Sequence, residues 1–111
     1  MEENIGKKYL PIGTVVLLKG GEKKLMITGF YITEEGKEDT IWDYNGCFYP
    51  EGLIDSKQVF LFDHSQINEV YHIGFINDEE KEFKKALDKA IKMINDEGEQ
   101  SKTEEIKREH T

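Results

Sequence analysis

The chain has 111 residues, 37% hydrophobic and 34% charged, with a formal net charge of −8; that leaves room for one domain of ordinary size and excludes two. Six Phe, five Tyr and one Trp supply the bulky groups of a real core, which argues against global disorder. Its 23 carboxylates outnumber its 15 basic residues, so it repels phosphate backbones and anionic headgroups; a protein partner is expected, with no nucleic acid and no membrane.

No apolar run approaches the ~18 residues of a membrane span, and the start, Met1-Glu2-Glu3-Asn4, lacks the basic flank and apolar stretch of a signal peptide. One cysteine, Cys47, cannot form an internal disulfide and agrees with a reducing compartment. The expectation is a soluble cytoplasmic protein.

Residues 1–8 read as a flexible N-terminus. The run Gly13-Thr14-Val15-Val16-Leu17-Leu18-Lys19, set off by Pro11 and Gly20-Gly21, predicts a strand. Lys24 to Ile32 predicts a second, paired with the first across the Gly-Gly turn, with Gly29 at a bulge. Thr33 to Asp39 has no apolar residue and reads as a mobile, solvent-facing loop. Ile41 to Tyr49 carries Asn45-Gly46 between aromatic half-strands, the preferred type I′ hairpin turn. Such a turn pairs Tyr44 with Cys47 and Trp42 with Tyr49. It places those four on one face and Asp43 with Phe48 on the other. Pro50-Glu51-Gly52 then makes a turn.

Val59 to Phe62 predicts a further short strand, Asp63 and Ser65 cap a single helical turn, and Val70 to Phe75 returns to strand. The clearest helix runs from Asp78 to about Glu97. Phe83, Ala86, Leu87, Ala90, Ile91 and Ile94 form one apolar stripe, Asn77 and Glu80 make a capping box, and Gly98 stands at the stop. Residues 99–111 read as a charged, disordered tail. The first, second and fourth strand runs are apolar on both alternation classes, as in a sheet covered on both faces. The expected fold is therefore α+β. About five antiparallel strands form a strongly curled sheet or small barrel in one domain, residues 9–98, with one C-terminal amphipathic helix packed on it.

The motifs of chemistry are missing. Gly20-Gly21 lacks the pattern of a phosphate-cradling loop, and His64, His72 and His110 have no metal-ligand spacing. Cys47 follows the expected hairpin turn, with no helix N-terminus to lower its pKa, and reads as a small hydrophobic filler. Asp39, Asp43, Glu51, Asp55 and Asp63 fit no calcium loop and read as a solvated acidic surface. The expectation is a non-enzymatic chain without catalytic residues, cofactor or metal. Its contact candidates are Trp42, Asp43, Tyr44, Phe48, Tyr49 and Glu51: an aromatic anchor with an acidic rim suits a protein interface.

Four stretches taken together carry a family resemblance: Leu10 to Gly21, Lys24 to Gly29, Trp42 to Gly52 and Val70 to Phe75. In that order, over about residues 9–95, they resemble the small bacterial proteins grouped as domain of unknown function 4176 (DUF4176). The resemblance rests chiefly on the L-P-I-G-[ST]-V-V-x-L-K-G-G opening joined to D-Y-x-G-x-x-Y-P-E-G. Phe30 stands where many members carry a basic residue. The resemblance implies Gram-positive loci for type VII secretion and LXG-type toxins. It further implies a cytosolic accessory or chaperone-like role, with no catalytic residues. The implied partners are an LXG-type toxin or a small helical targeting factor, and a homodimer is compatible with the reading. The alternative is an immunity protein that neutralises a toxin domain.

Overall fold

The computed structural model describes the backbone of residues 8–34 and 37–109, and the side chains of 8–33 and 40–95. Five strands, β1 (Val15–Leu18), β2 (Leu25–Glu34), β3 (Lys37–Phe48), β4 (Phe60–Phe62) and β5 (Ile67–His72), precede one helix, α1 (Asp78–Glu109). A 3-10 turn, His64–Gln66, lies between β4 and β5. The chain divides into two compact units, a sheet unit ending at Ile76 and a helical unit starting at Asn77.

The class expected from sequence is correct: an α+β chain with a five-stranded antiparallel sheet and one C-terminal helix. The strands lie in the order β4-β3-β2-β1-β5. The Gly-Gly turn pairs β1 with β2 as expected, Val15 opposite Met26 and Val16 opposite Leu25. The strongly curled sheet or small barrel does not form. The ladders end at β4 and β5, which stay the two edges of an open sheet. The apolar excess in the strands is taken up partly by chain laid over the sheet: the backbone amides of Tyr9 and Leu10 bond the hydroxyl of Tyr44, and both residues are buried.

The second correction concerns Asn45-Gly46. No turn forms there, since β3 runs unbroken from Lys37 to Phe48 and pairs Asn45 with Gly29 and Gly46 with Ile27 of β2. Neither residue is among those with the positive φ that a type I′ turn demands. The expected pairing of Tyr44 with Cys47 and Trp42 with Tyr49 therefore fails. Tyr44 faces Phe30 on one side and Phe62 on the other, and Trp42 faces Ile32. By strand alternation Tyr44 and Cys47 stand on opposite faces.

What Asn45-Gly46 supplies is close packing. A Cβ on Gly46 would come within 2.7 Å of the Met26 carbonyl oxygen and 3.1 Å of the Phe62 ring. The Asn45 carboxamide accepts the Thr28 hydroxyl at 2.9 Å and occupies the space beside Gly29. Gly29 does mark a register shift in β2, as expected. The Thr33–Asp39 loop is replaced by the ends of two strands, with Glu34 opposite Lys37; residues 35 and 36 lie outside the described chain. β5 begins at Ile67 instead of Val70 and stops at His72.

Most of the core gathers on one face of the sheet, with Val15 and Cys47 buried on the other. Val16, Leu25, Ile27, Tyr44, Phe62, Ile67 and Val70 are all at most 5% exposed. Burying each such side chain is worth about 1.5–3 kcal/mol. The Tyr44 ring stacks on Phe62 with centroids 5.4 Å apart, and Tyr9 meets Phe30 edge-on at 6.0 Å.

The helix starts where its sequence says. The Glu80 amide donates to the Asn77 side-chain oxygen at 2.9 Å, and Asp78, Glu79 and Glu80 fill the first turn. These charges favour the positive end of the helix dipole. The expected stop at Gly98 does not appear. Gly98 remains helical and the helix continues to Glu109, since an interior glycine costs only about 1 kcal/mol relative to alanine and ends a helix only when it turns left-handed. Of the stripe, Leu87 and Ile91 are half-buried while Phe83 and Ile94 are half-exposed. Among the described residues no helix is long and apolar enough to cross a membrane.

Candidate protein-contact site

β3 carries the six candidate residues or positions their neighbours, and the structure separates them. Asp43 and Tyr44, in the middle of the strand, are occupied by internal bonds. The Tyr44 hydroxyl receives the backbone amides of Tyr9 at 2.8 Å and Leu10 at 3.0 Å, and lies 2.7 Å from His64 Nδ1. The Asp43 carboxylate pairs with Lys8 at 3.1 Å and accepts the His64 amide at 2.8 Å. Its own amide donates to Asp63 Oδ1. These bonds tie the N-terminal strap, β3 and the connection to β5 together.

The electrostatics follow the burial. Desolvation pushes the Tyr44 hydroxyl up to about 12, against the opposing pull of the two backbone amides. Burial, with the Asp43 carboxylate second, also pushes Tyr9 up to about 12. Both phenols stay neutral at any ordinary pH, as buried donors must.

The far end of the strand is different. Phe48 is half-buried against Phe60, with centroids 4.5 Å apart. Beyond it the chain turns back on itself: the Gly52 amide donates to the Phe48 carbonyl at 2.8 Å, and Gly52 adopts a φ of 77°, which side chains with a Cβ rarely reach. The Tyr49 amide is fixed to the Lys24 carbonyl. From this anchored turn Tyr49 is 44% exposed, Leu53 59%, Ile54 74% and Val59 38%. Glu51 is exposed and joined to Lys23 at 2.7 Å, and this bond holds its carboxyl below the usual range. Trp42, toward the other end of β3, is half-buried, and its indole N–H is enclosed without an acceptor among the described residues.

Sequence reasoning thus named Tyr49 and Glu51 on the exposed turn and missed Leu53, Ile54 and Val59. The signal was present as Leu53-Ile54, two large apolar residues side by side in an otherwise polar connection. Also missed was His64, whose partners lie about 20 residues away in sequence. Asp39 belongs to the residues whose side chains are not described. Among the described residues no group of three or more His, Cys, Asp or Glu is arranged to hold a metal ion. Cys47 is buried as a free thiol.

A family model, "Domain of unknown function (DUF4176)", matches residues 9–83, and the chain belongs to this family. The match takes in all five strands and the first turns of α1. No curated protein and no solved structure matches the chain.

Proposed function

We propose that this DUF4176 chain is a non-enzymatic protein-binding module of the cytoplasm, an accessory or chaperone-like protein that engages an LXG-type toxin or its small helical targeting factor before type VII export. The observation that supports this reading is the exposed apolar turn, with Ile54 74% and Leu53 59% accessible on a connection pinned to the sheet at Phe48. Large apolar side chains held out from an anchored backbone cost little ordering entropy when a partner covers them. Covering Leu53 and Ile54 fully would contribute about 1.5–3 kcal/mol each. Tyr49 adds an aromatic group of the kind that dominates interface energetics, and the Lys23–Glu51 pair forms a charged margin. Phe48 supports this surface from a half-buried position, Asp43 and Tyr44 hold the middle of the strand that carries it, and Trp42, toward the other end of β3, lies apart from it.

The test is binding in vitro to the two halves of an LXG toxin from the same locus, the N-terminal LXG half and the C-terminal toxic domain, each purified separately. Binding to the N-terminal half supports the accessory role. Binding to the toxic domain alone, with loss of toxicity, replaces it with the immunity reading. Failure to bind either half removes both.

A further inference from the structure

We infer that Tyr44 and His64 form a proton-operated latch on the N-terminal strap at Tyr9 and Leu10. The argument is a count of hydrogens. A phenol oxygen has two lone pairs and one hydrogen. The backbone amides of Tyr9 and Leu10 both point at this oxygen, from 2.8 and 3.0 Å, and fill its lone pairs. The third neighbour, His64 Nδ1 at 2.7 Å, therefore accepts the phenol hydrogen. Nδ1 carries no hydrogen of its own, so the ring is the neutral tautomer protonated at Nε2.

An imidazolium carries a hydrogen on both nitrogens. Protonation would set a donor at Nδ1 against an oxygen with no lone pair left. Either the ring swings away and the phenol hydrogen loses its acceptor, or a strap amide is released to make room. Each outcome loosens the closed arrangement, which is therefore favoured when the ring is neutral and weakened as the solution is acidified.

Among the described residues, Tyr44 meets the His64 ring from β3, the Asp43 carboxylate accepts its backbone amide, and Asp63 precedes it on the connection. The Asp43 carboxylate would favour a positive ring, but it already binds the Lys8 ammonium and the His64 backbone amide. Asp63 Oδ1 accepts the Asp43 amide. Neither carboxylate supplies an acceptor at the position the phenol holds. Opening the strap would uncover the Phe30 and Tyr44 rings that Tyr9 meets at about 6 Å.

Amide hydrogen exchange read by NMR, normalised to intrinsic rates, tests this on the intact chain. Between pH 7.5 and 5.5, protection at Tyr9 and Leu10 should fall several-fold, toward the ceiling of about tenfold that one linked imidazole proton sets over that window, while Tyr49, bonded to Lys24, keeps its protection. In His64→Asn the side-chain oxygen replaces Nδ1 as an acceptor that does not titrate, so strap protection should be equal at the two pH values. An unchanged wild-type strap, or the same fall in His64→Asn, overturns the latch. The tautomer is a second check that needs no variant. Proton–nitrogen correlation of the wild-type ring at pH 7.5 must show the hydrogen on Nε2, and a hydrogen on Nδ1 overturns the inference outright.

Discussion

Two stretches of the chain, Asp43-Tyr44 and Tyr49 to Val59, look alike in sequence, with aromatic residues beside carboxylates. They are put to opposite uses. At Tyr44 every polar atom is paired inside the sheet unit and the residue is fully buried; ten residues on, Ile54 is 74% exposed. The difference lies in what the fold brings opposite each stretch. The middle of β3 has neighbours on both sides, Phe30 of β2 and Phe62 of β4. β4 pairs only with Tyr44, Asn45 and Gly46, and the chain beyond Phe48 has left the sheet. An aromatic residue with strands on both sides serves stability, whereas the apolar residues beyond the last ladder stay exposed, and it is these that the proposed partner would cover.

The comparison breaks most severely at the core. Phe62→Ala should destabilise the chain by about 3–5 kcal/mol, because a fully buried ring stacked on Tyr44 leaves a cavity. Urea unfolding measures it, and a loss below about 1 kcal/mol would mean that this face is not the core. Next comes Tyr44→Phe, which keeps the ring and removes the acceptor of two buried amides. A cost of about 1–3 kcal/mol is expected, the usual penalty for leaving buried polar groups unsatisfied. A neutral result would show that the strap is not held there.

Alkaline pH sharpens the same point without mutation. Tyr9 and Tyr44 are held at about 12 in the folded chain, against 10.0 for an ordinary tyrosine. A raised value means that the folded state binds the proton more tightly than the unfolded state. The stabilisation is then complete below pH 10 and lost as pH rises toward 12. Unfolding followed by circular dichroism should show stability falling in that window, and in Tyr44→Phe the fall should be shallower. The smallest effect on stability belongs to the turn. Leu53→Ser and Ile54→Ser should each change stability by no more than about 0.5 kcal/mol, since both side chains are already exposed.

Much of this was legible in sequence where the information is local. The first hairpin is written in two apolar runs and Gly20-Gly21, and the helix start in Asn77 and three acids. Gly29 was readable as a register shift for the same reason. Asn45-Gly46 misled because its local meaning, a turn, is overruled by partners far away. The Met26 carbonyl and Phe62 ring need the space beside Gly46, and Thr28 needs the Asn45 carboxamide. The two-sided apolar strands suggested closure, whereas the ladders stop at two edges. Leu53-Ile54 stood out in sequence as an apolar pair in a polar connection, but that the pair stays uncovered depends on where β4 joins the sheet and how little of β3 it covers.

The division between a structural centre and a contact turn is tested most directly by one titration series against the LXG half of the toxin, with wild type, the Leu53→Ser/Ile54→Ser double variant and Tyr44→Phe measured alongside their melting temperatures. The account predicts at least a tenfold loss of affinity in the double variant, with melting within a few degrees of wild type. It predicts the reverse for Tyr44→Phe: lower melting, and affinity retained below the transition. Undiminished binding by the double variant, or an equal loss of affinity in a folded Tyr44→Phe, would contradict it.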